Sequence, residues 1–185
     1  MSPTPQEIRD AKAEATLRDR DLAASLGISE AQLVAAHTGA TGPFRATRIK
    51  HHPDEVMPLI PRLGEVMSLT RNASVVHERV GTFGEYRAGR HASMVLGHDI
   101  DTRIFPKHWA YGFAVEAETD SGTRRSLQFF DTTGEALQKI YLRATSDAAA
   151  FDPLVAELTL DDQSDVITPE PPIPTEPARA DADKR

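Results

Sequence analysis

The side chains most able to do chemistry in this sequence surround the turn at Arg71 and Asn72. The stretch from Gly64 to Gly81 reads GEVMSLTRNASVVHERVG, in which two short apolar runs flank this polar turn. Such runs predict two adjacent strands, and His77 lies on the second of them. An imidazole can bind a metal ion or carry a proton, although a lone strand histidine is more often a hydrogen-bonded or surface residue. The pattern alone therefore leaves both interpretations of His77 open.

Further candidates come from the alternation of side chains along other predicted strands. Arg103 shares a strand face with Asp101, and Lys139 shares one with Tyr141. Cations beside aromatic and aliphatic groups suit a large, flat, anionic ligand, and a neutral imidazole could bind a metal ion that the ligand carries. An ordinary surface ion pair between Arg103 and Asp101 would explain those two residues without any ligand.

The elements that would position these side chains are seven predicted strands with a period of two. Their bounds are Val66–Leu69, Ser74–Val80, His91–Leu96, Ile100–Phe105, Tyr111–Thr119, Arg125–Asp131 and Ala136–Arg143. Short connections require antiparallel neighbours, so the sequence predicts an antiparallel β-meander. Predicted helices cover this sheet, and together they give an α+β fold.

The covering helices flank the strands at both ends of the chain. The sequence predicts a helix from Ile8 to Leu26, ended by Gly27, and a second helix that Ser29 caps. This pair has the spacing of a helix-turn-helix, but the second helix has no Lys or Arg to contact DNA, so we interpret the pair as a cover. A last helix, SDAAAFDPLVAEL, begins at Ser146.

Composition limits the classes of function. The chain has 185 residues, a net charge of −7 and no cysteine, which excludes disulfides and thiol chemistry and argues against bulk binding of nucleic acid. No apolar stretch is long enough for membrane insertion, and a cytoplasmic location is expected. We predict a domain over residues 17–160, with a flexible or helical extension at 1–16 and a disordered, proline-rich and acidic tail at 161–185.

Several stretches together resemble a known family. They are RDLAASLGISEAQLVAA, LGEVMSLTRNASVVHERVG, LGHDIDTRIFPKHWAYGFAVE, RRSLQFFDTTGEALQKIYLR and SDAAAFDPLVAEL. In this order and spacing the chain resembles a single half of the hemin-degrading and heme-trafficking proteins of bacterial heme uptake, the HemS–ChuX type. The resemblance runs from about residue 17 to 158.

This resemblance implies a large antiparallel sheet flanked by helices, two such halves in tandem in long members, and single halves that dimerise in short ones. It implies that Arg103 matches an arginine on the distal side of the bound heme and that His77 matches a histidine proposed as a heme ligand. The main axial histidine of the long members lies in the helical opening of their second half. The corresponding opening here, residues 17–26, contains no histidine.

We therefore expect a cytoplasmic heme-binding and trafficking protein that acts downstream of a heme ABC importer and passes heme to an acceptor. Its expected partner is a second copy in a homodimer or another HemS-like half, with no nucleic acid. The alternatives are a heme-degrading enzyme that releases iron, and a dimerisation module or remnant half without heme affinity. His77 is the expected iron ligand, and the expected heme contacts are His77, Arg103, Arg71, Lys139 and Tyr141.

Overall fold

A computed structural model describes residues 2–171 of the chain, and the fold in this range is α+β. The strands are β1 (Phe44–Ile49), β2 (Gly64–Arg71), β3 (Val76–Thr82), β4 (Glu85–Arg87), β5 (Ser93–Leu96), β6 (Thr102–Ile104), β7 (Tyr111–Thr119), β8 (Gly122–Phe130) and β9 (Ala136–Ser146). The α-helices are α1 (Pro5–Glu14), α2 (Asp19–Ser25), α3 (Glu30–Ala35), α4 (Pro53–Val56) and α5 (Phe151–Leu158). Short 3-10 helices occupy Ile60–Leu63, Pro106–His108 and Ala148–Ala150. The predicted fold class and its large antiparallel sheet are confirmed.

The connectivity differs from the single meander predicted above. The main sheet has the order β1-β7-β8-β9-β2-β3, and β4-β5-β6 form a separate sheet. Within the main sheet, short turns join β7 to β8 to β9 and β2 to β3. By contrast, β1, at one edge, pairs with the distant β7, and β2 pairs with the distant β9. Strand β1 was missed because its sequence, FRATRI, follows a Gly-Pro stretch and carries two arginines. The chain leaves the main sheet and enters the small sheet at Gly84. There the backbone passes so close to Leu96 that a Cβ on residue 84 would lie 2.0 Å from the Leu96 carbonyl oxygen.

The helical layer at the N-terminus also differs from the prediction. The helix expected from Ile8 to Leu26 is broken into α1 and α2, since α1 ends at Glu14 and α2 begins at Asp19. The break lets Ile8 and Leu22 enter one small core together, so packing overrides local helix propensity. Thr4 caps α1 in a capping box, with its Oγ1 3.3 Å from the Glu7 backbone nitrogen, so the N-terminal extension is helical. The predicted cap at Ser29 and the left-handed Gly27 (φ 69°) are both present.

Two cores lie on opposite faces of the main sheet. Under α3, a smaller cluster includes Val34, Phe113 and Phe130. On the other face a larger cluster, including Phe129 and Leu154, packs under α4, α5 and the second sheet. The central strands are therefore buried on both faces, and their positions are fixed from two sides.

The segment after α5 lies along the edge of β1, where we had predicted disorder from residue 161. The Gln163 side chain accepts from the Arg48 nitrogen and donates to its carbonyl, both at 2.9 Å. Ile167 is buried against the core under α3, and the Glu170 nitrogen donates to Thr132 at 2.7 Å. Because one apolar residue and several backbone bonds hold it, this strap is ordered through residue 171. The predicted disorder of residues 172–185 lies outside the described residues. No described helix has the length and apolar character that a membrane span requires.

Candidate functional site

A cavity of about 610 Å³ opens between the α1–α2 connection and strands β2 and β9. We call it the cationic cleft, because seven of its lining residues carry positive charge and three carry negative charge. The cations are Lys12, Arg18, Arg20, Arg71, Arg124, Lys139 and Arg143, and the anions are Asp19, Glu30 and Glu78. The excess of four positive charges contrasts with the net charge of −7 of the whole chain.

The floor of the cationic cleft is one face of β2 and β9. In the antiparallel register Met67 lies opposite Tyr141, and Leu69 lies opposite Lys139, so these four side chains share a face. Arg71 follows at the next alternate position of β2 and lines the same space. We call this the cleft face. It provides a thioether, an aliphatic chain and a phenol ring surrounded by guanidinium groups.

Tyr141 is held in place from the neighbouring strand. The guanidinium carbon of Arg124 lies 5.7 Å from the centroid of the Tyr141 ring. Such a contact is attractive because the cation meets the negative face of the ring. The ring is therefore oriented while its edge remains half-buried beside the cleft.

Lys139 differs from the other cations of the cleft because it has a buried partner. Its ammonium group donates to Glu30 of α3 in a short ion pair, and each side chain is only 6% exposed. The Lys139 nitrogen also lies 5.8 Å from the centroid of Phe130. The charge of Lys139 is thus balanced by Glu30, and the pair fastens α3 to the sheet. The charges left to attract an anion belong mainly to arginines.

His77 does not lie in the cationic cleft. It is exposed on β3, directly opposite Thr70 of β2. Directly opposed residues share a face, and Thr70 alternates with Leu69 and Arg71, so His77 belongs to what we call the opposite face. The sheet therefore separates His77, the expected iron ligand, from the expected heme contacts Arg71, Lys139 and Tyr141.

Arg103 lines a smaller cavity of about 360 Å³ on the side of the opposite face. Thr70, Phe105, His108 and Asp131 also line this cavity. Within residues 2–171 Arg103 forms no ion pair with Asp101 or any other carboxylate. Because Thr70 lines this cavity and pairs with His77, Arg103 and His77 approach the same side of the sheet.

The five predicted site residues therefore divide into two groups on different sides of the sheet. The structure brings Arg71, Lys139 and Tyr141 together in the cationic cleft and leaves His77 and Arg103 on the other side. Alternation along each strand was assigned correctly, but the relative phase of two strands depends on their register, which a single strand does not reveal.

Sequence reasoning also missed residues of the cleft. Arg18 and Arg20 reach it because the first predicted helix breaks before Asp19, and Arg124 and Arg143 lie near the ends of long strands. The only signal in the sequence was the density of arginine in these stretches. Such clusters occur on many solvated surfaces, so the signal was weak.

The donor set of the cationic cleft fits a heme group in two respects. Aliphatic and aromatic side chains can contact the flat ring, and arginines can bind its carboxylates. For the iron, Tyr141 and Met67 are of the ligand types that proteins use, and the cleft residues include no histidine within the described part of the chain.

Comparison with known proteins was made by sequence and by structure. The family model described as the haemin-degrading HemS.ChuX domain matches residues 27–158. The hemin transport protein HmuS of Yersinia pestis is 36% identical over 142 residues, which is 76% of this chain and 40% of HmuS.

Two solved structures are similar over almost the whole chain. Holo-PhuS, a heme-binding protein from Pseudomonas aeruginosa, is 37% identical with a TM-score of 0.87, over 97% of this chain and 53% of PhuS. ChuS, an E. coli heme oxygenase, is 31% identical with a TM-score of 0.79, over 95% of this chain and 51% of ChuS. The chain thus spans about half the length of the relatives that it matches.

Proposed function

Because this chain belongs to the haemin-degrading HemS.ChuX domain family, we propose that it takes up heme in the cationic cleft and passes it on for iron utilisation in the cytoplasm. The observation that carries this proposal is the concentration of positive charge around an apolar and aromatic floor. In a chain of net charge −7, such a cluster concentrates anions at one place. Heme combines a flat apolar ring with two carboxylates, and the cleft offers partners for both parts.

The arrangement of the cleft suits transfer as well as binding. Arginines can hold the carboxylates in bidentate contacts, while Met67 and Leu69 contact the ring. The cleft is open at its side, so the ligand can leave without rearrangement of the sheet. These features support a carrier that receives heme from an importer and releases it to an acceptor.

Hemin titration tests this proposal. The variant Arg71→Glu/Arg143→Glu reverses two charges in the cleft, and we expect hemin affinity to fall by about tenfold or more, since loss of a charge-assisted contact costs ~1.5–3 kcal/mol. Arg90→Glu is the control for charge reversal outside the cleft, because Arg90 is exposed and does not line the cleft. Equal affinities of both variants and the unmodified protein would refute the cleft as the heme site.

Transfer requires a separate measurement. Hemin-loaded protein mixed with apomyoglobin should lose its heme at a rate independent of acceptor concentration once the acceptor is in excess, because release is then limiting. Cleft variants should release heme faster than the Arg90→Glu control. Retention of heme over hours against excess acceptor would contradict a carrier role.

We propose that the partner of this half is a second copy of the same chain, bound at the edge formed by β3. This strand ends the main sheet, and the valines in it and just before it are exposed: Val75 by 62%, Val76 by 51% and Val80 by 38%. An exposed apolar edge strand is a template for pairing with another chain. The length of the relatives, about twice that of this chain, supports a second half as the partner.

Analytical sedimentation, which measures the oligomeric state, tests the proposed dimer directly. The protein should sediment as a dimer at micromolar concentration, and Val76→Lys should shift it to a monomer. Thr123→Lys, at the exposed start of β8 and away from β3, is the control for added charge. A monomer at all concentrations, or a dimer unaffected by Val76→Lys, would refute pairing at this edge.

A second candidate function is heme degradation, favoured by the similarity to ChuS, a heme oxygenase. Ring opening requires one axial ligand and an open iron position for oxygen. His77 and Arg103, on the same side of the sheet, would supply the ligand and a positive charge above the opposite ring face. Hemin-loaded protein with ascorbate and catalase should then lose its Soret band and release iron. His77→Ala would abolish this loss, whereas an unchanged spectrum of the unmodified complex excludes the activity.

A further inference from the structure

The cations of the cationic cleft differ in whether a carboxylate of the same chain already balances them. Lys12 lies 2.5 Å from Asp19, and the buried Lys139 is paired with Glu30. Within residues 2–171 the arginines of the cleft form no ion pair; they are Arg18, Arg20, Arg71, Arg124 and Arg143. Most arginines outside the cleft, over the same range, do form such pairs. The guanidinium groups of the cleft are therefore available to an external anion.

Two of these arginines lie close together at one end of the cleft face. Ser126 of β8 pairs with Tyr141 of β9. Arg124 and Arg143 each lie two residues further along their strand from this pair, in the same direction, so their side chains share the face of Tyr141. Both are exposed and line the cleft. Like charges at neighbouring positions of a sheet repel each other, and an anion that contacts both would relieve this repulsion.

The contacts that the cleft offers to heme involve the edge and the faces of the ring. Met67 and Leu69 are half-buried on the floor, where a flat ring can cover them. The free energy of such contacts depends on the apolar area that is buried. Arginine–carboxylate contacts are charge-assisted and strong because both partners are ionised. Both kinds of contact are the same whether or not the ring holds a metal ion.

We propose that the cationic cleft recognises the ring and the carboxylates of a porphyrin and not its iron, so that iron-free porphyrin is a ligand as well as heme. This inference rests on the proposed heme binding in the cleft and widens its ligand class. Arg124 and Arg143 contact the carboxylates, and the ring lies over Met67 and Leu69. A protein with this specificity can hold the ring both before and after a reaction that removes the iron.

Competition between porphyrins tests this inference. Iron-free protoporphyrin is fluorescent, so its binding can be measured directly and hemin can then displace it. The two dissociation constants should agree within about fivefold, and the diamide of protoporphyrin, which keeps the ring but carries no charge, should bind about tenfold or more weakly. Hemin that binds more tightly than protoporphyrin by more than this factor would overturn the inference. A diamide that binds as tightly as protoporphyrin would also overturn it.

A variant of the two neighbouring arginines tests where the carboxylates bind. Arg124→Gln/Arg143→Gln should weaken the binding of hemin and of protoporphyrin alike, by about tenfold, because charge-assisted contacts are lost from both. Both side chains are exposed, so the variant should fold. Arg87→Gln/Arg90→Gln is the matched control, since these two arginines are exposed and do not line the cleft. Affinities equal to those of the control, or a loss confined to hemin, would overturn the inference.

Tyr141 allows a separate test of iron recognition, because its phenol oxygen is of a type that binds heme iron. Tyr141→Phe removes this oxygen and keeps the ring. The affinities for hemin and for protoporphyrin should change by the same factor, whereas a loss for hemin alone would show that the oxygen binds iron and would overturn the inference. Failure of the unmodified protein to bind hemin at all is a distinct result, which refutes the proposed function itself.

Discussion

The two faces of the main sheet carry similar side chains in different settings. On the cleft face, cations surround a partly enclosed space, and Lys139 is buried against Glu30. On the side of the opposite face, His77 of β3 and Arg103 of β6, in the separate small sheet, are both exposed. Charges in an enclosed space act through a lower effective dielectric, whereas exposed charges are screened by water and salt. The same residue types should therefore contribute more on the cleft face.

The largest expected effect is a loss of protein stability when the buried ion pair on the cleft face is broken. Glu30→Ala leaves the buried charge of Lys139 unpaired, and we expect the free energy of unfolding to fall by about 3–5 kcal/mol. Urea denaturation measures this loss. The double variant Glu30→Ala/Lys139→Met should recover most of it, since no charge then remains buried. A loss below about 1 kcal/mol, the range of exposed ion pairs, would show that the pair is solvated.

A smaller difference should appear in hemin affinity. Tyr141→Ala removes an aromatic ring from the cleft floor, and we expect a loss of about 1.5–3 kcal/mol, or roughly ten- to a hundredfold in the dissociation constant. His77→Ala, on the opposite face, should change the constant much less. Hemin titration under identical conditions compares the two. A larger effect of His77→Ala would move the heme site to the opposite face.

The pH dependence of stability should reveal the burial of His37, which follows α3. Burial holds the pKa of His37 below its ordinary value, so the unfolded chain binds a proton that the folded chain resists. The free energy of unfolding should decline as pH falls below about 6.5, the ordinary pKa of histidine. Arg9, Lys12 and Asp19 act on the same ring. Urea denaturation between pH 7.5 and about 5 should show a shallower decline for His37→Gln; parallel profiles would contradict this prediction.

The smallest expected effect is the dependence of hemin affinity on salt concentration. Exposed arginines at the cleft rim are screened over a Debye length of about 10 Å at 0.1 M ionic strength, so hemin affinity should weaken modestly as salt rises. Arg71→Gln should reduce this dependence because one screened attraction is gone, while Arg103→Gln should leave it unchanged. Titration at three salt concentrations distinguishes the two, and equal slopes would remove Arg71 from the site.

The local structure around the first candidate residues was readable from the sequence. Asn72 makes the predicted turn, since its side-chain oxygen accepts from the Ser74 and Val75 nitrogens, both at 2.8 Å. Ser29 caps α3 as expected. Both features depend on residues within three positions of each other, so their signals lie within one short stretch.

The site itself was only partly readable, because it depends on contacts between distant parts of the chain. Placing Tyr141 opposite Met67 requires the register of β9 against β2, and the faces of His77 and Lys139 follow from that register. Arg18 reaches the cleft only because α1 and α2 separate to share one core. Tertiary packing decides such features, and no local pattern encodes them.

The strap after α5 has a consequence for how far the sheet can grow. Thr159 pairs with Ile49, and Gln163 occupies both backbone groups of Arg48, so the β1 edge of the sheet is already covered. The main sheet therefore has one bare edge, and two copies paired through β3 as proposed would leave no further edge of this sheet for a third copy. In the proposed dimer, the main sheet would thus stop growing at a closed, two-fold assembly rather than continue as a fibre. The strap thus blocks the addition of another copy of the protein at the β1 edge. Its removal should make concentrated protein turbid.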